Sequence, residues 1–127
     1  MVEPETYGLS HLEIAVHDVQ RTMLFYQKVF GMQVMYLEKG FLQLTTPGCH
    51  DILVFEERPD APIGISGGIA HFGFRLRNAN NIDLIENKIL DAGGIISSKG
   101  EFVKGSPYVF FKDPDGYEVE VWFELLS

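Results

Sequence analysis

Three residues, His11, His71 and Glu120, are of the types that a divalent metal ion binds. Two neutral imidazoles and one carboxylate, bound on one side of an octahedral ion, leave three positions for substrate, water or oxygen. Iron(II), manganese(II), nickel(II) and zinc(II) all accept such ligands. The residues are far apart in the chain, so this chemistry requires elements that bring them together. Their spacing alone does not decide between a metal site and three ordinary polar groups on a solvated sheet face.

Alternation puts all three on the same kind of surface, because successive side chains of a strand point to opposite faces. In the segment Leu9–Val16, Leu12, Ile14 and Val16 share one face, opposite His11, Glu13, Ala15 and, just beyond, His17. After residue 68, Phe72, Phe74 and Leu76 oppose His71, Gly73, Arg75 and Arg77. Near the C-terminus, Val119, Val121 and Phe123 oppose Glu118, Glu120, Trp122 and Glu124. Each strand thus has an apolar back that must be covered. Each front carries ionisable groups and either lines a cleft or meets water.

Two helices are available to cover the backs. Asp18 stands at an N-cap position, Val19, Met23, Tyr26 and Phe30 follow at helical spacing, and Gly31 closes the segment. In the second half, Asn78 or Asn80 caps a helix carrying Ile82, Ile85 and Ile89, ended by Gly93 and Gly94. Further strands are expected over residues 32–38, 41–45, 51–56, 95–98, 107–112 and 117–124. Asp113-Pro114-Asp115-Gly116 is a turn, since Pro presets φ and Gly permits a positive φ. The order strand, helix, three strands occurs twice, and aligning His11 with His71 also pairs Asp18 with Asn78 and Phe25 with Ile85. The expected fold class is α+β: one domain over residues 1–127, built from a first βαβββ module (7–56), a Pro- and Gly-rich linker (57–68) and a second module (69–125).

Composition narrows the partners. The 127 residues are 46% hydrophobic, enough for one domain with its own core. Acidic residues outnumber basic ones 18 to 10, and the net charge of −8 opposes binding to a nucleic acid or an anionic membrane surface. No apolar run approaches the ~18 residues needed to span a bilayer. The N-terminal residues show no signal-peptide pattern, and the single cysteine, Cys49, has no partner within the chain. A cytoplasmic location is expected.

Four motifs, in order, resemble the vicinal oxygen chelate superfamily, which includes glyoxalases, bleomycin-binding proteins, fosfomycin-resistance proteins and extradiol dioxygenases. They are Ser10-His11-Leu12-Glu13-Ile14-Ala15-Val16, Phe25-Tyr26 before Phe30-Gly31-Met32, Gly68-Ile69-Ala70-His71-Phe72-Gly73-Phe74, and Asp113-Pro114-Asp115-Gly116-Tyr117-Glu118-Val119-Glu120. The resemblance covers nearly the whole chain. It implies a curled, eight-stranded mixed sheet around a metal cleft, with the helices on the convex side. It also implies that His11, His71 and Glu120 are the metal ligands.

Departures from the subfamilies sharpen the expectation. Glyoxalase-like members add a fourth ligand on the last strand of the first module. Aligning Asp51–Phe55 with Glu118–Trp122 sets Leu53 opposite Glu120, and Leu53 cannot ligate. A three-ligand, dioxygenase-type member is favoured, with one divalent ion, iron(II) first and manganese(II), nickel(II) or zinc(II) open. Ring-cleaving members carry a tyrosine where Phe110 stands and a histidine upstream, and no histidine lies between Ala92 and Gly116. Tyr108, two residues displaced, is the candidate acid–base residue. Leu53, Phe55, Arg75, Phe110 and Trp122 are expected to contact substrate, with Phe41 beside them, and Glu118 to accept from a ligand imidazole. Such a wall suits an aromatic or amphipathic small molecule. Isomerase, lyase or thiol-transferase chemistry is the first alternative, and a metal-free drug-binding protein the second.

A four-stranded module also leaves an open edge and half a cleft. Either the two modules of one chain pair with each other or the first module pairs with the second module of another chain; a homodimer is expected, and the exchange, with His11 from one chain and His71 and Glu120 from the other, is the favoured arrangement. His17 lies ~20 Å along the strand from His11 and is read as a surface residue. Cys49 and His50 share a turn and are assigned no chemistry.

Overall fold

Asp18 Oδ1 accepts hydrogen bonds from the backbone N–H groups of Gln20 and Arg21 and so starts α1 (Val19–Phe30). Gly31 ends it with φ of 66°, a conformation that glycine adopts without a Cβ clash. The structure, a computed structural model, describes residues 3–124. The first module comprises β1 (His11–Val16), α1, β2 (Gln33–Glu38), β3 (Phe41–Thr45) and β4 (Ile52–Glu57), in the sheet order β1-β4-β3-β2. The second repeats this with β5 (Phe72–Arg75), a 3₁₀ turn over Ala79–Asn81, α2 (Ile82–Asp91), β6 (Ile95–Glu101), β7 (Pro107–Lys112) and β8 (Glu118–Trp122), in the order β5-β8-β7-β6. In both sheets the first and last strands of the module run parallel and the others antiparallel.

This is the expected α+β, two-module fold. The eight strands divide into two four-stranded sheets that do not join into one. β5 starts later than alternation suggested. Gly67 and Gly68 have positive φ, and Ile69 N–H closes a turn on the Ser66 carbonyl. β6 runs longer, through Gly100, with a bulge between Ile96 and Ser98.

Both backs and both helices share one core. Ile14, Val16, Val19, Ile85, Ile89, Val119 and Val121 are buried in it, as alternation required. Leu12, Met23, Phe30, Phe72, Phe74, Leu76 and Ile82 pack against it, partly buried. Tyr26 of α1 lies 5.2 Å from the Phe55 ring and 6.5 Å from Phe74, so it touches both sheets. Phe30 stacks on Phe74 at 3.8 Å. Because the backs face this common core, the two fronts face away from it.

The Asp113–Gly116 turn fastens the modules. Asp113 is buried, and its Oδ2 accepts from the Tyr26 hydroxyl at 2.9 Å. Its Oδ1 accepts from the backbone N–H groups of Asp115 and Tyr117. Asp115 accepts from His17 N–H at 3.0 Å and Arg21 Nη2 at 2.9 Å. The Tyr117 hydroxyl donates to the Ala15 carbonyl at 2.7 Å. Burial, above all, raises the Asp113 pKa; these hydrogen bonds pull against it. Tyr26 is raised well above its ordinary value, first by burial and then by the Asp113 charge.

The folded state therefore holds the Asp113 proton more tightly than the unfolded chain does. This group's contribution to stability falls as pH rises from the unfolded carboxyl pKa through the raised folded one. Tyr26→Phe removes a hydrogen bond to a buried carboxylate and is expected to cost about 1.5–3 kcal/mol at neutral pH. Urea unfolding at neutral and acidic pH should show that cost shrinking once Asp113 is protonated.

Candidate metal centre

His71 lies just before β5, and Glu120 lies in the middle of β8. The parallel register sets Gly73 beside Glu120 and Arg75 beside Trp122. His71 Nε2 is 3.3 Å from Glu120 Oε1. Phe110, opposite Glu120 on β7, meets the His71 ring edge-on at 5.0 Å and 89°. A Cβ on Gly73 would lie 3.1 Å from the Glu120 carbonyl oxygen and 3.4 Å from its Cβ, so glycine lets Glu120 sit close against β5.

His11 opens β1 on the front of the other module. Its Nδ1 is 2.6 Å from Ser10 Oγ. In the tautomer with Nδ1 protonated, the hydroxyl accepts and the Nε2 lone pair is left free to ligate. Among the described residues, no three His, Cys, Asp or Glu side chains are grouped to hold an ion. Within one chain, then, His71 and Glu120 meet and His11 stands apart. The donor chemistry still fits a divalent ion, since two imidazoles and a carboxylate face outward from the fronts.

Two expected contact residues are misplaced by one position. β1 pairs Leu12 with Leu53 and Ile14 with Phe55. Leu53 and Phe55 therefore lie on the core side, 8% and 0% exposed, and do not line the front. Ile52 and Val54 occupy the front positions instead. Val54 beside Glu13 matches Glu120 beside Gly73, and an alkyl side chain there offers no fourth ligand.

The remaining candidates are spread over the front of the second sheet. Tyr108 is opposite Trp122. A Cβ on Gly100 would lie 3.0 Å from the Tyr108 hydroxyl, so that hydroxyl is turned towards β6, the strand beyond β7 from Glu120. Phe102 stacks on the Tyr108 ring at 4.4 Å. The Glu118 carboxylate accepts from Ser97 Oγ at 3.1 Å and lies 3.6 Å from Lys112 Nζ, with no imidazole bonded to it among the described residues. Arg75 lies over the Trp122 ring at 5.5 Å and donates to the Glu124 carbonyl. Phe41, opposite Glu56, is on the front of the first sheet.

Two contributors were not singled out from the sequence. Ser10 had a signal, a hydroxyl adjacent in sequence to a candidate ligand. Phe102 had none, because β6 was expected to end before it.

Two βαβββ modules, one with a histidine opening its first strand and the other with a histidine just before it, define a class of paired-module proteins. A family model for the Glyoxalase/Bleomycin resistance protein/Dioxygenase superfamily matches residues 8–121, and the chain belongs to that superfamily. It is 25% identical over 121 residues to a catechol-2,3-dioxygenase of Bacillus subtilis, covering 93% of this chain and 42% of that protein. It is 29% identical over 139 residues to a probable chloroplastic lactoylglutathione lyase of Arabidopsis thaliana, covering 99% of this chain and 37% of that protein. The chain thus spans less than half the length of these curated relatives. The fold also matches a fosfomycin resistance protein variant of Listeria monocytogenes, solved with manganese(II) and a dihydroxypropylphosphonic acid, with a TM-score of 0.76 and 20% identity over 92% of this chain and 90% of that one. Among the described residues no helix is long and apolar enough to cross a membrane.

Gly100→Ala is expected to push Tyr108 and Phe102 off their stacked positions with little loss of stability, because Gly100 and Phe102 are exposed. Trp122, T-shaped to Phe102 at 6.2 Å, reports the change as an altered emission spectrum.

Proposed function

We propose that this protein is a homodimeric, divalent-metal-dependent enzyme acting on a small molecule with vicinal oxygens. His11 of one protomer would complete the His71–Glu120 pair of its partner. The observation that carries this reading is the 3.3 Å His71–Glu120 pair on an open front, with His11 oriented by Ser10 on a front that the same chain leaves unmatched. A bound divalent ion supplies Lewis acidity to two neighbouring substrate oxygens and, as iron(II), oxygen chemistry. Iron(II)-dependent oxygenation is the first reading within this class, followed by isomerase, lyase or thiol-transfer chemistry.

The chain's own residues perform three tasks. His71 and Glu120 bind, and Phe110 limits the tilt of the His71 ring. Phe110 and Trp122 form an apolar floor that excludes water and orients a flat ligand. Proton movement falls to a group on the front facing this floor. In the first module Glu13 is available there, only loosely paired with Arg58 at 3.9 Å. Tyr108 is assigned to the wall, since its hydroxyl is turned towards β6.

Metal analysis of protein purified without chelator should give near-stoichiometric metal in the wild type and little in His71→Ala or His11→Ala. Mixing those two variants tests the exchange. By random assortment of two-fold dimers, about one quarter of the wild-type metal sites should return. A site contained within one chain would return none. A monomer in sedimentation, or no metal after incubation with iron(II), manganese(II), nickel(II) and zinc(II), overturns the reading and leaves a metal-free binding module. Turnover of substituted catechols by the iron(II)-loaded dimer separates oxygenation from the other chemistries.

A further inference from the structure

We propose that β2 is a second contact surface, through which the first sheet pairs with the first sheet of another copy of this chain, β2 against β2 across a two-fold axis.

β2 closes the first sheet at the end away from β1 and His11. All of its residues are exposed. Val34, Met35, Tyr36 and Leu37 follow one another at 40–51% exposure. Val34 and Leu37 lie on the core side, beside Leu44 and Leu42. Those two leucines are fully buried, so the core ends one strand short of the edge. Edge strands usually carry charges, proline or a bulge that discourage a further strand.

The duplication supplies an internal control. β6 is the matching edge of the second sheet, and both edge strands shift register at the same place, between Val34 and Tyr36 and between Ile96 and Ser98. Counting from that irregularity sets Met35, Tyr36 and Leu37 against Ser97, Ser98 and Lys99. Lys99 is tied to Glu86 at 3.0 Å, and Ser97 donates to Glu118 at 3.1 Å. One position in the module is therefore polar in the second sheet and apolar in the first. The bulge is common to both and does not account for the difference.

A second copy is the occupant that β2 itself fits. Two chains of net charge −8 repel each other, and residues 32–37 are a strip without charge. Antiparallel pairing about an axis perpendicular to the sheet keeps front with front and back with back. With that axis between Met35 and Tyr36, Val34 opposes the partner's Leu37 on the core side. On the front, Gln33 opposes the partner's Glu38, an amide against a carboxylate, and no like charges face each other. Symmetry makes each of these contacts twice. A single edge strand is small against the ~1,200–2,000 Å² that stable interfaces bury, so the association depends on concentration. It leaves the β1 side free for the metal centre proposed above and does not rest on it.

Sedimentation at physiological ionic strength, over a wide range of concentration, tests the pairing. The wild-type mass should rise with concentration. Leu37→Lys, which gives β2 the residue that β6 carries, should move that rise to at least about tenfold higher concentration, because two apolar contacts are lost at once. Val34→Glu combined with Leu37→Lys should recover most of the association, since the two new charges are opposite in sign and face each other twice. If Leu37→Lys fails to fold, Tyr36→Ser, again the β6 residue, replaces it. A wild-type mass equal to that of Leu37→Lys at every concentration overturns the proposal. So does a double variant no better than Leu37→Lys, which would mean that β2 meets a different surface. The species at low concentration, monomer or front-to-front dimer, reports on the metal-centre reading alone and leaves this comparison intact.

Discussion

The arrangement of the two modules depends on one buried carboxylate. Asp113 brings three donors to a single side chain: the Tyr26 hydroxyl from the first module and two backbone N–H groups from its own turn. Burying a carboxylate is costly unless its oxygens are satisfied. Separating the modules here would expose no new partner for Tyr26 inside the core, so the hydroxyl and the carboxylate specify one another. The same turn fixes β1 through Tyr117 and Ala15, and α1 through Asp115 and Arg21. β8 leaves this turn carrying Glu120. A single anchored loop therefore ties the strand that carries Glu120 to the strand that opens with His11.

The sequence disclosed faces wherever polarity alternated. β1, β5 and β8 mix apolar and ionisable residues at period two, and their backs lie where that pattern requires. β4 does not alternate: Ile52, Leu53, Val54 and Phe55 are all apolar, so their composition is silent about which side faces the core. Alignment then decided, and it counted Asp51 as a strand residue. In the structure Asp51 is spent on the preceding turn, accepting from Thr46 N–H at 2.8 Å and Thr46 Oγ1 at 2.7 Å. The strand begins one residue later, and a shift of one residue exchanges the faces. That exchange put Leu53 and Phe55 into the core and brought Ile52 and Val54 to the front.

Partner choice on a face was less legible than the face itself. Pattern placed Arg75, Glu118 and Tyr108 on the front, which is where they lie. It did not say which neighbour each would reach, because that depends on rotamers and on strands far away in sequence. Arg75 turns along β8 to the end of that strand, and Glu118 crosses to Lys112 and Ser97. Tyr108 bends outward because Gly100 leaves room for its hydroxyl and Phe102 covers its ring. The length of β6, which leads to Phe102, was underestimated: the expected strand stopped at Ser98, and Lys99, Gly100 and Glu101 extend it as an exposed strand.

The sharing of one core has a consequence for assembly. Had the two sheets each kept a separate helix on its outer side, their fronts could have faced each other within one chain. Instead Tyr26, Phe30 and Phe74 bind both backs into a common interior, and the fronts are turned away from it. In the proposed dimer each front would be half of a cleft, with the other half supplied by the partner. β1 and β5, which carry the histidines or follow directly on them, are also edge strands with unpaired backbone groups on one side. Under a two-fold axis, any contact of the first front with a partner's second front is made twice, so the pairing that completes one cleft completes its equivalent. At the opposite edge of the first sheet, β2 exposes Val34, Met35, Tyr36 and Leu37. The duplication thus groups no three metal-binding side chains among the described residues of one chain, and in the proposed dimer it would complete two equivalent centres.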